Sequence, residues 1–139
     1  LLFPLIHKPV LATDWQKDTR FYETKDIELA GKIANLTDRK DKVFLLGLHS
    51  GLYVIADRLP SKRWIDNFGW YLEIPGVQEE IVSRWEENPP TYVFWRQPST
   101  GNSFDLGVYQ PEKIVDYVQN HYNFVSEIEK GVRVWKRKS

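Results

Sequence analysis

The stretch KVFLLGLHSGLYVIADRLPSKR, Lys42 to Arg63, decides how this chain is read. After Lys42 it opens on a continuous apolar run of strand length, the pattern of a strand covered on both faces. Gly47 and Gly51 bracket a Leu-His-Ser turn, and Leu52 to Arg58 then reads as a short helix stopped by Pro60. A buried strand passing through a glycine turn into a helix is a building unit of α/β folds. Three chemistries compete for it: a His49-Ser50 catalytic pair, a phosphate cradle at the turn, or a scaffold with a functional rim.

Working outward, Asp26 to Thr37 carries Ile27, Ala30, Ile33, Ala34 and Thr37 at helical spacing, with Thr24 as the predicted N-cap. The charged turn Asp38 to Asp41 then leads into the strand. Beyond it, RWIDNF (Arg63 to Phe68) reads as a weaker strand. IPGVQEEIVSRWEENPP reads as an amphipathic helix with Val77, Ile81, Val82 and Trp85 on one stripe, ended by Asn88-Pro89-Pro90. TYVFW (Thr91 to Trp95) is a second buried-type strand, followed by the turn-rich loop RQPSTGNSFDLG. Pro111 occupies the expected first position of a helix whose apolar face is Ile114, Val115, Val118 and Tyr122. The end reads as a hairpin, Phe124, Val125 and Ile128 going out and Val132, Val134 and Lys136 returning through Glu129-Lys130-Gly131.

Strands alternating with helices imply right-handed parallel crossovers, and the hairpin adds an antiparallel edge. The expected fold class is α/β: a three-layer α/β/α sandwich with a Rossmann-like, mostly parallel sheet. The expected division is an N-terminal segment over residues 1–25 and a single α/β domain over 26–139.

The 139 residues suffice for one domain core. Nineteen basic and nineteen acidic residues balance to zero formal charge, which lacks the basic excess of a nucleic-acid partner. With no cysteine there is no disulfide framework, thiolate nucleophile or zinc ribbon. Methionine is also absent, and LLFPLIHKPVL begins with an apolar run broken by Pro4, far short of the roughly 20 residues that cross a bilayer. Both features fit a chain excised from a longer protein, with that run either packed on the domain or left from a membrane helix.

The candidate chemistries are weighed in turn. Adjacent side chains such as His49 and Ser50 point apart, and GLHSG does not reproduce the G-x-S-x-G elbow of the hydrolases. His7 and His121 are too scattered for a metal site. The turn lacks the Lys-Ser/Thr of a P-loop and the third glycine of a dinucleotide fingerprint, so no cofactor is expected. Glu79-Glu80 and Glu86-Glu87 read as a solvated helix face, and the Asn35-Leu36-Thr37 sequon falls inside a predicted helix. What remains is the rim: Tyr53, Asp57, Arg58, Lys62 and Arg63, with Asp57 and Arg58 expected to pair and fix the Leu59-Pro60 turn. Ligands of open α/β sheets gather at the carboxyl ends of strands near a switch in strand order. That points to Gly47–Gly51 and Arg96-Gln97, and to His49, Tyr53, Arg58, Arg63 and Arg96 as ligand contacts.

The pattern VFLLG…GLYVIADRLPSKRW, carried by Gly47, Leu52, Tyr53, Arg58, Pro60 and Arg63, resembles the soluble C-terminal domain of bacterial polytopic membrane glycosyltransferases, of the kind similar to protein mannosyltransferases and the aminoarabinose transferase. IELAGKIANLT, EEIVSRWEENPPTYVFW and YQPEKIVDYVQNHYNFVSEI…VRVWKRK are similar as well, so the likeness covers most of Asp26 to Lys138. The resemblance implies a parent that crosses the membrane many times and takes sugar from a polyprenyl-phosphate donor. It places this domain on the extracytoplasmic side of the cell membrane, partnered by the membrane portion of the same polypeptide and by a lipid-linked sugar or acceptor. In that family the catalytic acidic residues lie in loops between membrane helices, so no catalytic residue is carried over and the domain is expected to be non-catalytic. Two rivals stand beside it: a free-standing Rossmann-like small-molecule or nucleotide-binding module, and a small hydrolase using Ser50 and His49.

Overall fold

The computed structural model describes residues 22–61, 69–97 and 110–139. The expected strand over Arg63–Phe68, most of the loop after Gln97, the LLFPLI run, His7, Lys62 and the candidate contact Arg63 lie outside the described residues. In chain order the elements are α1 (Thr24–Leu36), β1 (Lys42–Leu46), α2 (Gly51–Ile55), β2 (Leu59–Pro60), α3 (Gly69–Leu72), α4 (Val77–Glu87), β3 (Tyr92–Arg96), α5 (Glu112–His121), β4 (Tyr122–Glu129) and β5 (Val132–Arg137).

The chain is a mixed α/β fold on a five-stranded open sheet, ordered β2-β1-β3-β5-β4. β1 pairs in parallel with β2 and β3, while β5 is antiparallel to both β3 and β4. Four strands therefore point one way and β5 alone runs against them, which makes the sheet mixed. The alternation along β1 divides the apolar side chains between two cores. Val43 and Leu45 join Leu29, Ile33, Leu52, Tyr53 and Ile55 from α1 and α2. Phe44 and Leu46 join Ile81, Trp85, Ile114 and Val118 from α4 and α5 on the other face. A strand buried on both sides reads as an unbroken apolar run, which is why VFLL lacks a polar alternation. Trp85 is fully buried, with Phe44 edge-on at 4.8 Å and Tyr117 at 5.6 Å, so it anchors that second core.

Several boundaries differ from the sequence reading. α1 begins at Thr24 with Glu23 in the N-cap position, so Thr24 is inside the helix. α2 ends before Asp57 rather than at Arg58, because Asp57 adopts φ 52 and closes the helix: Arg58 N–H reaches Tyr53 O at 3.0 Å and Asp57 N–H reaches Val54 O at 3.2 Å. That pair of bonds is a Schellman stop with aspartate in the left-handed position. Leu59-Pro60, read as a turn, is a two-residue parallel strand against Lys42 and Val43. Pro111 is the N-cap of α5 rather than its first residue. Tyr122, read on the face of that helix, opens β4 and buries its ring, its hydroxyl donating to Pro90 O at 2.8 Å.

Candidate functional site

The order β2-β1-β3 means that the chain leaves β1 in one direction and returns to its other side, so the switch lies between the carboxyl ends of β1 and β3. Gly47 follows β1 with φ 68, a left-handed turn that releases the chain toward α2. Gly51 is confined for a different reason. A Cβ there would sit 2.8 Å from His49 Nδ1 and 2.8 Å from Tyr22 Cε1, closer than any side chain allows.

The amide groups at the start of α2 are already engaged. Gly51 N–H donates to His49 Nδ1 at 3.1 Å, Leu52 N–H to His49 O at 3.1 Å and Tyr53 N–H to Ser50 O at 3.1 Å. The turn is therefore closed on itself and does not form a phosphate cradle. The first of those bonds makes Nδ1 an acceptor, so the neutral His49 ring carries its proton on Nε2. It also ties the ring to the backbone rather than to the Ser50 hydroxyl, which removes the geometric basis of a His-Ser pair.

Tyr53 is buried, and its hydroxyl accepts from Leu45 N–H at 3.0 Å while donating to Val43 O at 3.4 Å. Thr91 N–H bonds Lys42 O at 2.7 Å, so Lys42, Phe44 and Leu46 face β3 and Val43 and Leu45 face β2. β2 stops at Pro60, beside Val43. The Tyr53 hydroxyl thus bonds the β2 side of β1, engaging Leu45 N–H beyond the end of β2 together with Val43 O beside it. Burial pushes its phenol well above the usual range, the bond from Leu45 N–H opposing in part.

Arg58 is held as completely. Nε donates to Thr37 Oγ1 at 2.7 Å, Nη1 to Ala56 O at 2.9 Å and Asp57 O at 3.0 Å, and Nη2 to Ala34 O at 2.8 Å and Thr37 O at 2.6 Å. All five N–H groups are engaged, chiefly on the carbonyl end of α1, where a cation is favoured by the helix dipole. The expected Asp57–Arg58 pair does not form. Asp57 instead meets Arg39 at 2.7 Å, and its own backbone supplies a carbonyl to Arg58.

Arg96, at the carboxyl end of β3, stands apart from these. Its half-buried guanidinium reaches Glu129 Oε1 at 3.4 Å, and Lys32 Nζ approaches the other oxygen of that carboxylate at 3.8 Å. One carboxylate thus lies between two cations beside the carboxyl end of β3, on the side of that strand away from β1. The sequence reading missed Glu129 and Lys32. Glu129 reads as a hairpin turn residue, and it reaches Arg96 only through the β3–β5–β4 pairing, while Lys32, which no local pattern singles out, comes from α1. Among the described residues no group of three or more His, Asp and Glu side chains has metal-holding geometry. No described helix is long and apolar enough to cross a membrane. No protein-family model matches the chain, and no curated protein or solved structure matches it either.

Proposed function

We propose that the chain is the non-catalytic extracytoplasmic domain of a bacterial membrane-bound glycosyltransferase that uses a polyprenyl-phosphate sugar donor, folded as a three-layer, Rossmann-like α/β/α sandwich. In that role it covers the parent enzyme's active site or helps the acceptor to bind. Its partners are the membrane portion of the same polypeptide and a lipid-linked sugar or acceptor.

The observation that carries this reading is the state of Arg58 and Tyr53. Both belong to the motif on which the resemblance rests, and both have their polar atoms engaged by the fold itself. A motif of scaffold residues is what an accessory lobe would keep. Arg96 is then the cation best placed to meet a phosphate or a loop of the parent, since a dianion would compete with the single Glu129 carboxylate for its fork. The second reading, a free-standing nucleotide or small-molecule module, draws support from the β1–β3 switch point, where such modules bind.

Incubation of the purified chain with a polyprenyl-phosphate sugar and water or a lipid acceptor tests the first reading. The donor remains intact on the accessory-domain reading. Release or transfer of sugar by the chain alone contradicts it.

A further inference from the structure

We propose that the outer face of the β4–β5 hairpin is a docking surface for an anionic lipid bilayer. Val132 and Val134 point into the first core, so strand alternation puts Arg133, Trp135 and Arg137 on the opposite face, the one that α4 and α5 cover elsewhere. Their cross-strand partners on β4 are Glu127, Phe124 and Tyr122, in that order. The middle rung is aromatic, with Phe124 edge-on to Trp135 at 5.7 Å, and an arginine of β5 flanks it on each side. Phe124 is 54% exposed, and Val125, left out of the pairing by the register shift beside it, is 47% exposed. Two sizeable apolar side chains thus stand in water on the outermost strand.

The charge around them is one-sided. From Tyr122 to Lys138 five cations (Lys130, Arg133, Lys136, Arg137 and Lys138) stand against two carboxylates, a net charge of +3 in a chain that is neutral as a whole. Both carboxylates are already engaged within the protein. Glu127 accepts from Gly131 N–H at 2.9 Å, and Glu129 lies between Arg96 and Lys32. Lys130 at the hairpin turn, Arg133, and Lys138 at the far end are exposed. Arg137 is held on the rings of Tyr117 and Tyr122 and adds its charge from there. The aromatic rung therefore has cations toward both ends of the hairpin.

Apolar rings set among lysine and arginine suit the headgroup level of a bilayer, where the rings enter the acyl boundary and the cations meet lipid phosphates. A second protein is a poorer fit. Two half-exposed apolar side chains fall far short of the roughly 800 Å² that a stable partner buries on each side. The two register shifts in β4 also break the regular edge that strand addition requires. A fluid surface asks for no matched shape, and a few anchors with complementary charge hold it. The surface needs no sugar donor, acceptor or parent enzyme and is independent of the function proposed above.

Co-sedimentation of the chain with sucrose-loaded vesicles tests this, using phosphatidylcholine alone and an equal mixture with phosphatidylglycerol. At low salt the mixed vesicles are expected to bind half of the protein at lipid on the order of millimolar, with binding to phosphatidylcholine alone about tenfold weaker. Salt at about 0.5 M releases it. Arg133→Gln and Phe124→Ser, both at exposed positions, each weaken binding about fivefold. Lys40→Gln removes an exposed cation from the turn before β1 and changes binding less than about twofold. Failure to bind the mixed vesicles overturns the proposal, as does equal binding to both kinds. Unchanged binding in Phe124→Ser, or an equal loss in Lys40→Gln and Arg133→Gln, overturns it too. Dimerisation that Phe124→Ser abolishes, with the vesicles left unbound, gives the patch to a second copy of the chain instead.

Discussion

Arg58 closes the carbonyl end of a helix whose C-cap, Thr37, lies 21 residues before it: its Nε meets Thr37 Oγ1 at 2.7 Å and its Nη2 meets Thr37 O at 2.6 Å. Thr37 in turn donates to Ile33 O at 2.7 Å, so the last turn of α1 is tied to the stretch between α2 and β2. This link fixes α1 against β1 and, with it, the first core. Replacing Arg58 by Ala leaves several carbonyls without donors and is expected to lower stability by about 2–4 kcal/mol. Lysine has one terminal nitrogen and no fork, so Arg58→Lys recovers less than half of the loss. Urea unfolding followed by far-UV circular dichroism gives both numbers, and a lysine variant equal to wild type would show that the fork is not required.

Asp57 carries the left-handed turn that stops α2. Glycine adopts that conformation without a Cβ penalty, and the exposed pair with Arg39 is a surface contact of small worth. Asp57→Gly is therefore expected to leave stability unchanged or raise it by about 0.5 kcal/mol, and Asp57→Val to lower it by more than about 1 kcal/mol. The two melting curves, run side by side, decide the point.

Gly51 has no room for a methyl group against His49 and Tyr22. Gly51→Ala forces one of those rings aside and is expected to cost about 1–3 kcal/mol. The same substitution with His49→Ala costs less than the sum, because part of the clash disappears. A double-mutant cycle measures this coupling.

Tyr53 and Tyr122 are both shifted upward by burial, Tyr122 with Arg137 opposing. The folded protein holds these phenolic protons more tightly than the unfolded chain, whose tyrosines titrate near 10. Their stabilising contribution is complete below about pH 10 and declines as pH rises toward the raised folded values, by about 1.4 kcal/mol per pH unit for each ring. Tyr53→Phe should halve that alkaline slope while lowering stability at neutral pH by about 1–3 kcal/mol, since Leu45 N–H loses its acceptor. Denaturant midpoints between pH 8 and pH 11 supply the test.

The elements with a strong period were legible in the chain. VFLL and YVFW lie in the central strands, and the Val77–Ile81–Trp85 stripe faces a core, because burial on both sheet faces or along one helix stripe writes itself into residue order. The two-residue β2 was not legible, since Leu59-Pro60 carries turn chemistry and is a strand only because β1 lies beside it. Tyr122 misled for a related reason: it continues the helical spacing of α5, yet the helix passes into β4 without a turn residue between them. Of the candidate contacts, His49 and Arg96 stand just after β1 and at the end of β3, but their partners were not legible. Glu129 reaches Arg96 through sheet pairing 33 residues away, and no local pattern announces it.

The most direct test of the accessory-domain account is a competition between phosphate ligands for the chain. Melting is followed with a short-chain polyprenyl phosphate in detergent, with the matching prenol, and with a mononucleotide, in wild type and Arg96→Ala. The account predicts a rise with the lipid phosphate that is absent with the prenol and with the mononucleotide, and that disappears in Arg96→Ala. Micromolar stabilisation by the mononucleotide, with no response to the lipid phosphate, would contradict it and establish the free-standing binding module instead.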